Sequence, residues 1–447
     1  MIYRRILMRI GGMMLTMAGI SLVAFVLVAH APLHPADTAC GTEEAQLNYA
    51  DYETCLEQKY RAFNRHLPVF YVEFTSWAAP DTLYKLYRPE EHLWADRMLA
   101  YCGDWEAVSQ LRQAIRQLRL ALSNGSFSGD VRQEALSQTQ YLLTDSEPAA
   151  MAQRLAVLDT ILQGGDPAAG LALHTCRQAL ASVQTRASVW KNAIPRIICH
   201  GFHNQYHQWI SRMLRGDPGN SWVRDLPVGT EIRTALWRTL PLTLIALILS
   251  YGGGLGRGLM ATARAGRWTD QVISAATFVL ESLPGFWVAS FLLTVQAGWI
   301  GMTDYQPGVW VTAVMPLLAW SYGTIGVLGR VLRNAMLEVL DQPFIQAAKA
   351  KGLSPYQLLI RHALPHGLLT LTTSLGAVLP ALVSGSVVIE RVFSISGIGE
   401  LQLAAMQGTD LPIVAAILLL SGALGALGYM LADMLFWLWY PPARAVS

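Results

Sequence analysis

The chain has little charge and lacks the sequence motifs of nucleotide-binding and hydrolytic enzymes. Asp, Glu, Lys and Arg make up only 14% of its 447 residues, against about 25% in ordinary soluble domains. It contains no Gly-x-x-x-x-Gly-Lys-Ser/Thr phosphate loop, no nucleophile elbow and no zinc-protease helix. The net charge is only +2, with no basic stripe of interleaved aromatics, so no nucleic-acid partner is expected. With 53% apolar residues, the composition predicts a polytopic membrane protein with a soluble part, and the missing motifs predict that it is not catalytic.

Cysteine is also scarce, and its five copies fall in one region of the chain. None lies in a long apolar run. The five are Cys40, Cys55, Cys102, Cys176 and Cys199. This clustering predicts an oxidising compartment, with up to two disulfides and one remaining thiol. Five buried free thiols are the alternative, and spacing alone does not assign a pairing.

The cysteine-containing region, about 35–220, has no apolar run long enough to span a membrane. Residues 106–122 place apolar side chains at helical spacing, with Asp104 as the N-cap. Pro148 predicts the first turn of a helix that reaches about residue 163. Asp166 and Pro167 open another that reaches about residue 190. Strand-like alternation is sparse, so we predict a mainly helical soluble domain.

Apolar segments on either side of this region are long enough to cross a bilayer. The first, at about 10–29, follows three arginines; a cleaved signal peptide is the alternative to a retained helix. Five more follow near 235–256, 271–297, 308–330, 368–390 and 411–437. The loops 257–270 and 331–367 carry most of the Lys and Arg, which predicts six spans with both termini cytoplasmic. The soluble region and every cysteine then lie outside.

The spans contain residues that soluble helices rarely tolerate. Bundles in membranes accept proline, because neighbouring helices satisfy the freed carbonyls. Glycines in a span allow another helix to approach closely, or they loosen the helix. The prolines are Pro241, Pro284, Pro316, Pro380 and Pro412, and the glycines are Gly252, Gly253, Gly254 and Gly256.

One polar segment lies between two of the predicted spans. It runs Gln-Ala-Ala-Lys-Ala-Lys-Gly from Gln346 to Gly352 and is followed by Leu364 and Pro365. The small residues favour close approach to a partner, and Gly352 ends or bends the helix. The pattern predicts a short helix that docks onto a soluble protein. An ordinary basic cytoplasmic loop is the alternative.

Five stretches, taken together and in order, resemble a known family. They are residues 34–37, 215–221, 282–287, 348–365 and 388–399. They are similar to segments of the first permease subunit in the peptide/nickel branch of type I ABC importers, the group of the dipeptide and oligopeptide permeases. The similarity covers residues 1–39 and about 210–447. Gln346 stands where the family motif has Glu, His362 stands where an aliphatic residue is usual, and the insert at about 40–205 is unusually long.

The resemblance implies an all-α polytopic fold: a six-helix type I ABC importer transmembrane domain with an inserted, mainly helical periplasmic domain. The expected boundaries are 1–34 for the first transmembrane helix, 35–220 for the insert and 221–447 for the five-helix core. The resemblance also implies that the chain itself binds no cofactor. ATP and Mg are expected on two partner ATPase subunits, and a second homologous permease subunit is expected to complete the path.

The implied location is the inner membrane of a bacterium, within the lipid bilayer. A periplasmic binding protein delivers the cargo, with short peptides as the leading hypothesis. Three alternatives stay open: import of nickel or a metal chelate, a sensor or assembly component that does not transport, and an ion-driven secondary transporter.

The resemblance also marks site residues. Those expected to couple to the ATPase are Gln346, Ala347, Ala348, Lys349, Lys351, Gly352, Leu364 and Pro365. Those expected at the translocation path or an external gate are Glu281, Pro284, Glu390, Gly397 and Gly399. Glu281 is alternatively a residue near a helix end that reaches the interface, and the two glycines alternatively form a purely structural turn.

A histidine cluster is the remaining candidate site. If residues 199–207 are helical, His200, His203 and His207 fall on one face, next to Cys199. Imidazoles at this spacing bind zinc, copper or nickel. A histidine cluster without a metal is the more common case, so the expectation is no metal site.

Overall fold

The structure is a computed structural model that describes residues 2–30, 49–86, 89–125, 127–162, 166–384 and 387–439. The chain divides into two compact units. One, the membrane unit, comprises Met1–Ala31 and Arg215–Ser447, and the other, the insert unit, is Pro32–Leu214. The motif at 34–37 lies outside the described residues. The fold is that of an all-α polytopic membrane protein with an inserted, mainly helical domain.

The insert unit contains seven described α-helices and one pair of strands. In chain order these are α2 (Tyr49–Ala62), β1 (Val72–Ser76), α3 (Pro89–Cys102), α4 (Trp105–Asn124), α5 (Gly129–Leu142), α6 (Pro148–Ile161), α7 (Pro167–Thr185), β2 (Pro195–Cys199) and α8 (Gln205–Leu214). The two strands pair antiparallel, with Val72 opposite Cys199 and Ser76 opposite Pro195.

Helix α4 forms as its sequence predicts. The Asp104 carboxylate accepts the Glu106 N–H at 3.0 Å and satisfies one of the free donors of the first turn. The predicted apolar positions Leu111 and Leu118 are fully buried, as are their neighbours along the same stripe. The stripe lies in a core shared by α3 to α7, where Trp94 donates its indole N–H to the Asp145 carbonyl at 3.0 Å. Each such buried side chain contributes roughly 1.5–3 kcal/mol to the stability of the unit.

The other two predicted helices of the insert also form. Helix α6 begins at Pro148, and α7 begins at Pro167 with Asp166 as its N-cap. The predicted end of α7 near residue 190 is wrong, because the helix stops at Thr185. A short 3-10 turn, Val189–Ala193, then leads into β2.

The cysteines do not reach the predicted upper limit of two disulfides. Cys55 is disulfide-bonded, which also contradicts five free thiols. Cys102 and Cys176 are free and buried, whereas Cys199 is free and exposed. Burial raises the pKa of the Cys176 thiol to about 12. Cys40 lies outside the described residues.

This arrangement predicts the order in which the thiols react. The thiolate is the nucleophile, so burial and a raised pKa both protect Cys176 near neutral pH. Of the three free thiols of the described chain, native protein treated with N-ethylmaleimide is expected to be modified only at Cys199. Denaturation without reduction should add Cys102 and Cys176. Peptide mass spectrometry checks this, and rapid native labelling of Cys176 would contradict the buried assignment.

The membrane unit is mainly helical in its described part. Its elements are α1 (Ile2–Ala29), α9 (Val228–Ala263), α10 (Trp268–Ser282), α11 (Gly285–Ile300), α12 (Trp310–Leu340), α13 (Pro343–Ala350), α14 (Pro355–Leu358), α15 (Leu364–Ser384), α16 (Val387–Val392), α17 (Ile398–Gln407) and α18 (Leu411–Trp439). Helix α1 packs along α18, where a Cβ on Gly422 would lie 2.6 Å from the Ile20 side chain.

Four described helices are long and apolar enough to cross a membrane. They are Met8–Ala29, Val228–Ala263, Trp310–Leu340 and Leu411–Met434. A bent pair, α10 with α11, makes a fifth span if it counts as one. Helix α15 covers much of the predicted span at 368–390, but only its first part has described side chains. Six spans therefore stay a prediction.

The predicted span at 271–297 is not one continuous helix. It breaks at Leu283 and Pro284, where α10 and α11 meet at 96°. The Tyr322 hydroxyl donates to the Leu283 carbonyl at 3.2 Å and so satisfies a group that the break leaves without a helical partner. By contrast, Pro241 and Pro316 lie within the helices α9 and α12. The predicted loop at 331–367 is also shorter than expected, because α12 continues to Leu340.

Helices α9 and α12 pack closely through glycine. A Cβ on Gly254 would lie 2.7 Å from the Leu328 Cβ, and one on Gly258 would lie 2.7 Å from the Leu332 side chain. A Cβ on Gly256 would meet nothing within 4 Å. The prediction of close packing is thus correct for Gly254 but not for Gly256. Substitutions on the face of α9 that contains Gly254 should therefore affect the stability of the membrane unit most.

Alanine substitutions should separate these two faces. Gly254→Ala is expected to destabilise the protein by about 1–3 kcal/mol, since the added methyl group overpacks the contact with Leu328. Gly256→Ala has the same gain in helix propensity but an open site, so its unfolding temperature should stay equal or rise. Thermal unfolding in detergent measures both. Equal behaviour of the two variants would contradict the close contact.

Candidate functional site

The polar segment between the spans forms the short helix α13. Pro343 occupies its first turn, and Ile345 is its buried contact. Gln346, Ala347 and Lys349 are exposed, and Ala348 is partly exposed. The helix therefore presents a surface of two small residues flanked by polar side chains. Such a surface suits close approach by another protein.

Gly352 ends this helix, as its sequence predicts. Its φ is +85°, and its N–H donates to the Lys349 carbonyl at 3.0 Å. L-residues with a side chain rarely adopt this conformation, so the turn strongly favours glycine. The chain then enters α14 through a capping box, in which the Ser354 hydroxyl accepts the Gln357 N–H at 3.3 Å.

Leu364 and Pro365 lie on a different element from the residues of α13. They begin α15, directly after a π-helical turn at Leu359–Ala363. Proline has no N–H to donate to the carbonyl four residues earlier, and a π turn accommodates that loss. Ala363 and Leu359 pack against Leu332 and Met336 of α12. The predicted coupling residues thus lie on two elements: α13 with the turn that ends it, and the start of α15, where Leu364 packs against the same cluster and Pro365 is exposed.

A buried carboxylate joins several helices of the membrane unit at the end away from α13. Glu390 is fully buried, and its Oε1 accepts the Thr239 hydroxyl at 2.8 Å. Its Oε2 accepts the Glu400 N–H at 2.9 Å. Thr239 in turn accepts the Ile398 N–H at 2.9 Å. These bonds join α9, α16 and α17, and they compensate the burial of the carboxylate.

Gly397 and Gly399 lie next to Glu390, where the space available, and not the backbone conformation, explains the glycines. Gly397 has a φ of −97°, which any residue can adopt, so conformational freedom does not require glycine here. A Cβ on Gly397 would lie 2.3 Å from the Thr239 Oγ1, and one on Gly399 would lie 3.0 Å from the Glu390 Oε2. Both glycines allow the backbone to approach the buried carboxylate. We name Thr239, Glu390, Gly397 and Gly399 the carboxylate knot.

A cavity of about 490 Å³ adjoins this knot. Its lining includes Arg224, Glu231, Arg238, Gly397 and Glu400. Arg238 donates to the Ser396 carbonyl at 3.3 Å, and Arg224 pairs with Glu231 at 3.4 Å. The cavity is open and bordered by charge of both signs.

Glu281 and Pro284 are not part of the carboxylate knot. Glu281 forms an ion pair with Arg330 of α12 and lies against Gly326. Pro284 begins α11 at the break between α10 and α11. Glu281 therefore lies near the end of α10 in a contact with α12, and its two predicted roles stay predictions.

Two aspartates with structural importance were missed by the sequence analysis. Asp270 accepts two hydrogen bonds from Arg333, at 3.0 and 2.7 Å, and so joins α10 to α12. Asp410, before α18, accepts the Ser221 hydroxyl and, at 3.0 Å, the Trp222 N–H. The signal available for both was a carboxylate at the edge of an apolar run, but their partners are distant in sequence.

The histidine candidates do not form the predicted helical face. Cys199 ends β2, and helix α8 begins only at Gln205. His200 contacts Glu73 at 2.9 Å, whereas His207 contacts the Tyr71 hydroxyl at 3.2 Å. Within the described part of the chain, no group of three or more His, Cys, Asp or Glu side chains is arranged to hold a metal ion.

Comparison with known proteins shows what this architecture belongs to. The family described as "Binding-protein-dependent transport system inner membrane component" matches residues 254–436. A putative peptide transport system permease protein of Brucella abortus (strain 2308) is 32% identical over 249 residues, which cover 54% of this chain and 79% of that protein. This chain belongs to that family of transport permeases. It is a multi-pass membrane component of a binding-protein-dependent transport system.

Other relatives of the permease carry similar names. The oligopeptide transport system permease protein AppB of Bacillus subtilis (strain 168) is 30% identical over 244 residues, which cover 52% of the permease and 77% of that relative. A solved structure of the MetNI methionine ABC transporter, in an inward-facing conformation, is 20% identical with a TM-score of 0.41. That match covers 47% of the permease and 96% of the solved chain.

Proposed function

We propose that this permease forms half of the path of an ATP-driven importer for short peptides. The relatives named as peptide and oligopeptide permeases support the cargo class. The single observation that carries the coupling part of the proposal is the exposed helix α13, ended by a glycine at φ +85°. A second, homologous permease subunit would complete the path, and a binding protein would deliver the peptide.

The proposed energy source lies on other subunits. Two ATPases, which bind ATP and Mg, would each receive a helix such as α13 in a surface groove. Gln346, Ala347, Ala348 and Lys349 would make the contact, with Lys351 and Gly352 at its end. Leu364 and Pro365 would act from the start of α15, where Leu364 packs against the cluster that contains Leu332 and Met336 of α12. This chain would bind no cofactor and catalyse no reaction, since it only transmits a conformational equilibrium that its partners set.

The proposed orientation follows from the Lys and Arg distribution. Both termini and α13 would face the cytoplasm, in the inner membrane of a bacterium. The insert unit and the carboxylate knot would face the periplasm. The cavity beside Gly397 and Glu400 would then contact the binding protein or gate the outer end of the path. Pro284 would line the translocation path itself.

Uptake by whole cells tests the proposal. Cells that lack this chain should lose uptake of a radiolabelled tripeptide, and the wild-type chain should restore it. Uptake of a free amino acid and of nickel serves as the control for cargo class. Normal peptide uptake without this chain, or a loss confined to nickel, would overturn the peptide assignment. A sensor or assembly role predicts no change in any of the three.

A further inference from the structure

A second cavity, of about 350 Å³, lies between helices α9, α10 and α12. Six of its seven lining residues are polar and three are arginines: Arg257, Ser274, Phe278, Glu281, Arg330, Arg333 and Asn334. The volume is at the lower end of the range of about 300–1,000 Å³ that small-molecule sites occupy. We propose that this cavity, the arginine pocket, binds the phosphate group of an anionic phospholipid.

The arginine pocket carries one net positive charge. Three guanidinium groups line it, but only two carboxylates face them. Glu281 pairs with Arg330, and Asp270 pairs with Arg333 at 2.7 Å. Arg257 has no ion pair with a carboxylate among the described residues. A positive charge next to a hydrocarbon layer is costly without an anion, so the pocket favours an anionic ligand.

The Arg257 side chain has a fixed position and still has an N–H donor that forms no hydrogen bond among the described residues. Its Nη1 donates to the Gly326 carbonyl, and its side chain lies across Gly329. The absence of a side chain at Gly329 leaves room for the Arg257 guanidinium, and its absence at Gly326 leaves room for the Glu281 carboxylate. The Arg257 Nε is buried and has no hydrogen-bond partner. Buried donors without partners are rare, and a phosphate oxygen would satisfy this one with a charge-assisted hydrogen bond.

The surroundings favour a lipid over a soluble anion. Phe278, on the rim of the pocket, is 67% exposed, and Val279 and Val272 of the same helix are exposed too. These apolar side chains give acyl chains a surface beside the phosphate. The loop after α9 adds Arg264 and Arg267 at the same end of the helices. Basic pockets between helices on the cytoplasmic side of a membrane are typical sites for anionic lipid headgroups.

Native mass spectrometry of the complete transporter, purified in mild detergent, tests the inference. Delipidated protein is incubated with phosphatidylglycerol, phosphatidylcholine or inorganic phosphate. We expect the wild type to retain phosphatidylglycerol and not phosphatidylcholine. Arg257→Gln removes the charge that has no carboxylate partner and should lower phosphatidylglycerol retention about fivefold, the affinity that one Lys or Arg contributes at an anionic membrane surface.

Two further variants separate the charge from folding. Asn334→Asp keeps every arginine but neutralises the pocket from an exposed position, so it should lower retention similarly. Arg233→Gln removes one exposed positive charge near the other end of α9, outside the pocket lining, and should behave as wild type. Equal retention by all variants, or equal binding of phosphatidylcholine, would overturn the site. Binding of inorganic phosphate without any lipid would overturn the lipid assignment.

Discussion

Gly352→Val is expected to lower peptide uptake about tenfold. This factor corresponds to a destabilisation of about 1.4 kcal/mol for the conformation in which α13 docks onto the ATPase. Gly352 has a φ of +85°, which costs a residue with a side chain about 1–2 kcal/mol and a β-branched one more. Relief of that strain would redirect the chain between α13 and the capping box at Ser354. ATP hydrolysis by the partner subunits should continue without transport, since the ATPase sites are untouched.

A matched glycine controls for strain alone. Gly301 ends α11 with a φ of +66°, and like Gly352 it has nothing within 4 Å of a built Cβ. Gly301→Val therefore imposes a similar penalty at a site that the proposal does not assign to coupling. It should retain both uptake and its coupling to ATP hydrolysis. Gly352→Asn should be milder than Gly352→Val, because asparagine enters this conformation more easily. Normal uptake by Gly352→Val would remove the role assigned to α13.

Asp270→Ala is expected to destabilise the protein by about 3 kcal/mol, the lower end of the range for a broken buried ion pair. The Asp270 side chain is only 5% exposed, and Arg333 retains 26%. Removal of the carboxylate leaves the Arg333 guanidinium without its two hydrogen bonds between α10 and α12. The unfolding temperature in detergent, with the amount of protein in the membrane, measures the effect.

Replacement of both partners tests whether the pair itself is responsible. Asp270→Leu with Arg333→Leu removes the uncompensated charge together with the carboxylate, so it should be more stable than Asp270→Ala alone. Arg267→Ala changes an exposed charge three residues away and should have little effect. If Asp270→Ala were as stable as Arg267→Ala, the ion pair would not hold α10 against α12.

Local signals in the sequence were sufficient for much of the insert unit. Asp104 caps α4, and Pro148 and Pro167 begin α6 and α7, because capping and proline chemistry act within one helical turn. The segment 199–207 shows the limit of such signals. Its histidine spacing fits a helix, but pairing with residues 72–76, far away in the chain, makes its first residue the end of a strand.

The candidate site shows the same contrast. The end of α13 at Gly352 was predictable, because glycine at a helix end has a local cause. The break at Pro284 was not, since Pro241 and Pro316 occupy similar apolar runs and stay within helices. What differs is the Tyr322 hydroxyl, 39 residues from the Leu283 carbonyl that it satisfies.

Site-directed photocrosslinking from α13 tests the account most directly. A photoreactive residue in place of exposed Ala347 should crosslink, in intact cells, to a protein that carries a phosphate loop. The same residue in place of exposed Gln306, in the loop before α12, should not. Absence of that crosslink from position 347, with normal peptide uptake by the same cells, would contradict the claim that α13 binds an ATPase.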